Sequence, residues 1–370
     1  MNRGFYIILA AQFLSALADN ALLFAAIALL KELAAPPWQV PVLQQFFVVS
    51  YIVLAPFVGA FADALPKGKV MMLSNTIKFV GCLAMLLGLH PLFAYGIVGF
   101  GAAAYSPAKY GILTEYLPPK QLVVANSWME GSTVLAIILG AVVGGLLIGP
   151  KMSIWVQHHT LMAAWSVAKI AIVIIAGLYL AAAAFNLNIP KIALDHKPLR
   201  RNPLYLVCDF WHSFKLLWKD PQGEISLAVT TLFWGAGATM RLVILTWAGA
   251  ILNFNLEQAT QLTAMVAVGI AVGSVIAGKW VKLESATRVL PAGIVMGGLV
   301  IAMLWVKSLG LALVMFTLIG VVAGYFVVPM NALLQHRGHL LMGAGHSIAV
   351  QNFNENISIL VMLGLYALMI

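Results

Sequence analysis

Apolar residues run in blocks of about twenty, the length an α-helix needs to cross the hydrocarbon of a bilayer, and short polar stretches separate them along almost the whole chain. Read in order, the blocks predict eleven spans, at roughly 5–33, 42–62, 70–89, 92–113, 122–148, 161–185, 225–252, 259–278, 289–306, 309–331 and 346–370. A single long break, from Asn186 to Glu224, divides them into six and five. Inside it Leu204, Val207, Trp211, Phe214 and Trp218 recur at helical spacing and predict a short amphipathic helix, Pro203 to Trp218. Two readings of the break stay open: a solvated linker, or a helix lying in the membrane interface with its tryptophans inward. The expected organisation is an N-terminal six-helix bundle over 1–187, a cytoplasmic linker over 188–223 and a C-terminal bundle over 224–370.

Composition makes the class definite. With 62% hydrophobic and only 9% charged residues in 370, the chain is an all-α polytopic membrane protein. Two cysteines, Cys82 and Cys208, provide neither a disulfide framework nor a cysteine metal site, and no metal or cofactor is expected. The first span exceeds a signal-peptide core and no small-residue cleavage pattern follows it, so it is kept as a mature helix.

Orientation follows from lysine and arginine in the loops. On the predicted spans Arg3, Lys67, Lys69, Lys120, Lys191, Lys197, Arg200, Arg201, Lys215, Lys219, Lys279, Lys282, Arg288 and Arg337 fall on one side; Lys31, Lys151 and Lys307 fall on the other. The rich side is read as cytoplasmic, with the N-terminus inside. The net charge of +9 is then a topology signal, and no nucleic-acid partner is implied.

The two parts look repeated. Pro107 to Gly140 parallels Pro329 to Gly364 at an offset of about 220 residues, so spans four and five match spans ten and eleven. Six helices, a linker and a second copy in the same orientation resemble the major facilitator superfamily, whose two pseudo-symmetric six-helix bundles rock about a central cavity. A full second copy requires a twelfth span, which this sequence does not contain; a truncated sequence and a naturally shorter variant both stay open. The loop Gly59-Ala60-Phe61-Ala62-Asp63-Ala64-Leu65-Pro66-Lys67-Gly68-Lys69 resembles the facilitator signature between spans two and three. It departs in the spacing from aspartate to the second glycine, and in the alanine that follows the aspartate. The resemblance implies that Asp63, with Gly59, Lys67 and Lys69, is a conformational latch; otherwise it is a surface-loop aspartate beside two lysines. The matching stretch of the second half, Gly273 to Lys279, has no acid.

Charges inside spans carry the candidate chemistry, because a charge in hydrocarbon needs a partner or a polar interior. Tyr105-Ser106-Pro107-Ala108-Lys109-Tyr110-Gly111 puts a cation and a helix-bending proline in the fourth span, although a lysine snorkelling to a nearby interface is the plainer reading. Asp19 and Asn20 lie midway along the first span, Glu130 in the fifth, Arg241 in the seventh, and Gln351, Asn352, Asn354, Glu355 and Asn356 in the eleventh. Spans one, four, seven and ten line the cavity of the facilitator fold, which would bring Asp19, Lys109 and Arg241 together. Two cations and an acid suit an anionic or zwitterionic guest: arginine offers phosphate a fork, lysine a point charge, and aspartate accepts from an ammonium. The competing reading for each is an ion pair that only holds helices together, and it weighs most on Glu130, Lys78, Lys169 and Glu355.

A closer resemblance covers essentially the whole chain. Ala11 to Ala16 with Asp19 to Phe24, Gly101 to Leu113, Val328 to Gln335, and Ala349 to Phe353 with Glu355-Asn356 resemble the bacterial lysophospholipid transporter family. That resemblance implies a flippase of the bacterial inner membrane. It would move lysophosphatidylethanolamine and related lysolipids from the outer to the inner leaflet by alternating access and without ion coupling. A partner acyltransferase–acyl-carrier-protein synthetase, fused to the transporter in some relatives, would reacylate them, and the carrier itself would be a monomer. On this reading the phosphate meets Lys109 and Arg241, the ammonium meets Asp19 and Asn20, and Tyr105 and Glu130 complete the substrate contacts. Pro107 joins the gating residues. The alternative is a proton-coupled exporter of drugs or metabolites, with Asp19 or Glu130 as its proton carrier. A lipid-modifying enzyme is disfavoured, since none of the eight histidines has an aspartate five positions later and no nucleophile set or phosphate-cradling glycine loop occurs.

Overall fold

A computed structural model describes residues 2–158, 165–190, 202–254 and 256–369. Lys191, Lys197, Arg200 and Arg201, and the start of the sixth expected span, lie outside the described residues. Fourteen α-helices account for almost all of the rest: α1 (Arg3–Glu32), α2 (Gln39–Val53), α3 (Ala55–Ala64), α4 (Lys67–Leu86), α5 (Pro91–Tyr116), α6 (Leu122–Leu147), α7 (Pro150–His158), α8 (Val167–Leu187), α9 (Pro203–Lys219), α10 (Pro221–Leu252), α11 (Leu256–Trp280), α12 (Leu290–Ala302), α13 (Leu309–Leu341) and α14 (Ala344–Met369). Among the described residues there is no strand, as an all-α chain requires.

Capping residues set several of the boundaries. Asn2 accepts from the Phe5 amide at the start of α1, Ser166 from the Lys169 amide at α8, and Asp220 from the Gly223 amide at α10. Asn253 closes α10 in the left-handed region at φ 54°, a conformation asparagine tolerates better than most residues.

Among the described residues eight helices are long and apolar enough to cross a membrane, or nine if the pair α2–α3 is one broken span. Of the other predicted spans, α5 and α14 are 26 residues each, long enough to cross but diluted by polar residues. The second predicted span is interrupted at Leu54 by a bend of 64°. Pro56 explains it, because proline is accepted in the first turn of α3 but has no N–H to bond the Ile52 carbonyl, so the helix ladder breaks there. Two further differences concern length. The helix α13 runs ten residues beyond the expected end at 331 and keeps a chain of polar residues in helical register, and α7 forms where no span was expected. Pro107 and Pro329 both lie inside continuous helices instead of ending them.

The chain divides into two compact units, residues 1–112 with 135–210, and residues 113–134 with 211–370. In the first, α8 packs against both α1 and α4. Small residues make this possible: Ala18, Ala21 and Ala25 of α1 are buried with Ala171, Ile172 and Ile175 of α8. In the second unit α11 and α13 approach most closely, through Gly269 and Gly273 on one helix and Gly320 and Gly324 on the other. A Cβ built on Gly273 would lie 1.9 Å from the Val321 carbonyl oxygen, and one on Gly320 2.2 Å from that of Val266. Near the ends of α10 and α13, Arg337 bonds both carboxylate oxygens of Asp220. That guanidinium holds the Asp220 carboxyl below its usual range.

Backbone contact of this kind leaves no room for a methyl group. Gly273→Ala should therefore lower the thermal unfolding midpoint in detergent by the equivalent of about 1–3 kcal/mol, the usual cost of overpacking. Gly297→Ala, with nothing within 4 Å of the new carbon, should leave it unchanged. Equal midpoints for the two variants would contradict the close α11–α13 contact.

Candidate functional site: polar clusters inside two helical units

In the first unit the polar centre forms where α1 faces α4. Ser15 and Asp19 are four residues apart on α1, and Asn75 and Lys78 three apart on α4, so each pair shares a helix face. The Lys78 Nζ donates to Asp19 Oδ2 at 2.8 Å and to Ser15 Oγ at 3.0 Å. The Ser15 hydroxyl in turn donates to Asn75 Oδ1 at 2.7 Å. From α8 the Tyr179 hydroxyl donates to Asp19 Oδ1 at 2.7 Å. The ammonium also lies 4.8 Å from the Tyr105 ring centre and 5.6 Å from that of Tyr179, within cation–π range. Lys78 has 1% of its side chain exposed and Asp19 has 21%, so the lysine is sealed while the acid keeps an open flank.

The ion-pair reading that the sequence left open for Asp19 is met within the first unit. Its cation is Lys78, which α4 delivers from one helix away. Asn20 turns its amide back to the Ala16 carbonyl at 2.8 Å, a bond within its own helix. Lys109 is buried in α5, its Nζ 4.7 Å from the Tyr110 ring centre. Tyr105 is buried one turn before it. Arg241, in the second unit, is exposed on α10.

Two of the gating candidates, Asp63 and Lys67, meet where α3 gives way to α4. Asp63 is buried in the last turn of α3, and Lys67 Nζ lies 2.8 Å from its Oδ1 and 2.7 Å from the Ala62 carbonyl. Asp63 is therefore not a surface-loop residue. Gly59 is buried one turn earlier, Lys69 is exposed, and Pro107 is inside α5.

In the second unit the start of α6 meets α13 and α14 through three pairs spaced four apart: Asn126 and Glu130, Asn331 and Gln335, Gln351 and Glu355. Asn126 and Gln335 exchange two amide bonds of 2.9 and 2.8 Å. The Asn331 amide reaches Glu130 Oε1 at 3.4 Å, and Gln351 Nε2 bridges Asn331 Oδ1 at 3.0 Å and Glu355 Oε1 at 2.7 Å. All six residues are buried. The sequence favoured an ion-pair role for Lys78, Glu130 and Glu355 without naming their neighbours, and the Lys78–Asp19 pair agrees with it. Tyr179, Asn331 and Gln335 had no assigned role, although polar residues repeating at helical spacing inside apolar runs were the available signal.

Long helices, paired units and buried polar clusters are what a membrane carrier of the facilitator type requires. The sequence profile of the Major Facilitator Superfamily matches residues 8–362, and the chain belongs to that superfamily. Its relatives include the lysophospholipid transporter LplT of Yersinia pestis (strain Pestoides F) and that of Yersinia pseudotuberculosis serotype O:3 (strain YPIII). Each is 45% identical over 371 residues, covering 100% of this chain and 87% of the relative. Among solved structures, the facilitator FucP in its outward conformation aligns with TM-score 0.74 at 14% identity, over 98% of this chain and 91% of that one. A bacterial homologue of the iron transporter ferroportin, outward-facing, aligns with TM-score 0.72 at 15% identity, over 99% and 92%. These structures share the fold.

Removing one member of a sealed ion pair leaves the other uncompensated. Lys78→Met should destabilise the protein by about 3 kcal/mol and reduce the yield of folded protein in detergent. Adding Asp19→Asn should restore most of it. A single variant as stable as the unsubstituted protein would show that the pair does not hold α1 to α4.

Proposed function

We propose that the protein is a lysophospholipid transporter that takes lysophosphatidylethanolamine and related single-chain lipids from the outer to the inner leaflet of a bacterial inner membrane. The observation that carries this reading is similarity along the whole chain to relatives named lysophospholipid transporter LplT. The carrier works by alternating access and needs no ion gradient, because reacylation inside by an acyltransferase–acyl-carrier-protein synthetase removes the product. It acts as a monomer with its N-terminus in the cytoplasm, the orientation that the loop cations favour. It performs no chemistry of its own.

Lys109 and Arg241 take the phosphate, and Asp19 with Asn20 takes the ammonium. Both Asp19 oxygens already accept one bond, from Lys78 and Tyr179, but a carboxylate has about four acceptor positions. The open flank of Asp19 supports a further donor there. Tyr105 and Glu130 complete the contacts with the guest. Asp63, held by Lys67, is the latch that with Gly59, Lys69 and Pro107 follows the change of state.

The test is uptake into vesicles that lack any acyltransferase, with labelled lysophosphatidylethanolamine and its diacyl parent compared. The unsubstituted protein should move the lysolipid and exclude the parent. Lys109→Ala should fall at least about tenfold, the loss of one charge-assisted phosphate contact, with unchanged folded yield. Equal uptake of both lipids, or none of either while a pH gradient drives a water-soluble solute, would overturn the assignment.

A further inference from the structure

Glu355 is buried in α14, and its side-chain hydrogen bond comes from the neutral amide of Gln351. Among the described residues no lysine, arginine or histidine pairs with it. On α13 the facing groups are the amides of Asn331 and Gln335. On α6 the nearest titratable group is another acid, Glu130. On α10, which packs against α14 where Gly235 meets Ser358, the charged side chains are Glu224 and Arg241, six or more positions from Gly235. Every near neighbour thus donates a weak dipole or repels, and a carboxyl in such a place is neutralised by a bound cation or by a proton.

A second observation points to what is missing. The Gln351 Oε1 oxygen is buried with no hydrogen-bond donor, and Gln351 is only 7% exposed. Its nitrogen is fully used, by Asn331 and Glu355. The orphaned oxygen is the other end of the same amide and so lies within the carboxyl cluster. A carbonyl oxygen without a donor beside a carboxylate without a cation is a set of hard oxygen ligands.

We propose that Glu355 and Gln351, with Asn331 and Glu130 beside them, bind a small monovalent cation of the Na+ type. A single charge matches the Glu355 carboxylate, with which no lysine, arginine or histidine pairs among the described residues. The bound ion acts as a fixed counter-charge that holds α13 and α14 together, and it need not cross the membrane with the guest. The site shares Glu130 with the lipid assignment but rests on Glu355 and Gln351, which touch no guest, and lysolipid uptake measured in parallel keeps the two apart.

The experiment is thermal unfolding of the purified full chain in an uncharged detergent, at constant ionic strength, in sodium, lithium, potassium, magnesium or choline chloride. The unfolding midpoint should be roughly 2 °C or more higher in sodium chloride than in choline chloride. That difference should vanish in Glu355→Gln and in Gln351→Leu. Equal midpoints in sodium and choline for the unsubstituted protein would sink the proposal, which needs no variant to fold. So would a sodium response that survives in both variants, a response to magnesium alone, or a midpoint that follows pH but not sodium, which would make the occupant a proton.

Discussion

A polar group placed in hydrocarbon has no water to fall back on, and the arrangement of this protein follows from that constraint. Solvation is replaced helix by helix. Lys78 is satisfied by Asp19, Ser15 and two aromatic rings. Asn126 and Gln335 satisfy each other. Each such closure joins helices distant in sequence, so interactions that remove a penalty also specify which helices are neighbours. The apolar faces do not do this alone, since lipid tails solvate leucine as well as another helix does.

Specificity of packing comes from the opposite kind of residue. Where α11 meets α13, four glycines let the backbones approach until no side chain fits between them. Where α1 meets α8, alanines play the same part. Small residues provide close contact and polar residues provide register, and the α1–α8 pair uses both, its alanines packed beside the Tyr179–Asp19 bond.

Much of this architecture was legible in the chain. The helical class, the amphipathic helix α9 and the matching of α5–α6 with α13–α14 follow from apolar runs of membrane length and a repeated Pro-x-Lys or Pro-x-Asn element. The break at Leu54 was legible too, in Pro56, but a hydropathy average passes over a single proline. The site was harder. Hydropathy marks Asp19, Lys78 and Lys109 as buried charges without saying which meet. Cavity-lining order assigned Lys109 and Arg241 to the same space as Asp19 and named no ion-pair partner for the acid. The actual choice, Lys78, depends on rotation of α4 about its own axis, and only the i, i+3 and i, i+4 coincidence of Ser15, Asp19, Asn75 and Lys78 encodes it. The reach of Tyr179 from α8 has no counterpart in local spacing at all.

The Lys78–Asp19 pair also bears on how a carrier can release what it binds. A bare buried aspartate would hold an ammonium strongly, and a guest held strongly in one state must be released at equal cost in the next. With Lys78 at 2.8 Å and the Tyr179 hydroxyl at 2.7 Å, most of the Asp19 field is already spent inside the protein. What its open flank offers is a directional acceptor with little net charge. Such a group can orient a zwitterionic headgroup without trapping it, and lysine and aspartate together can follow the headgroup through a conformational change without leaving an isolated charge in the membrane. If Asp19 receives the headgroup as proposed, the residue that decides turnover is the sealed lysine more than the acid.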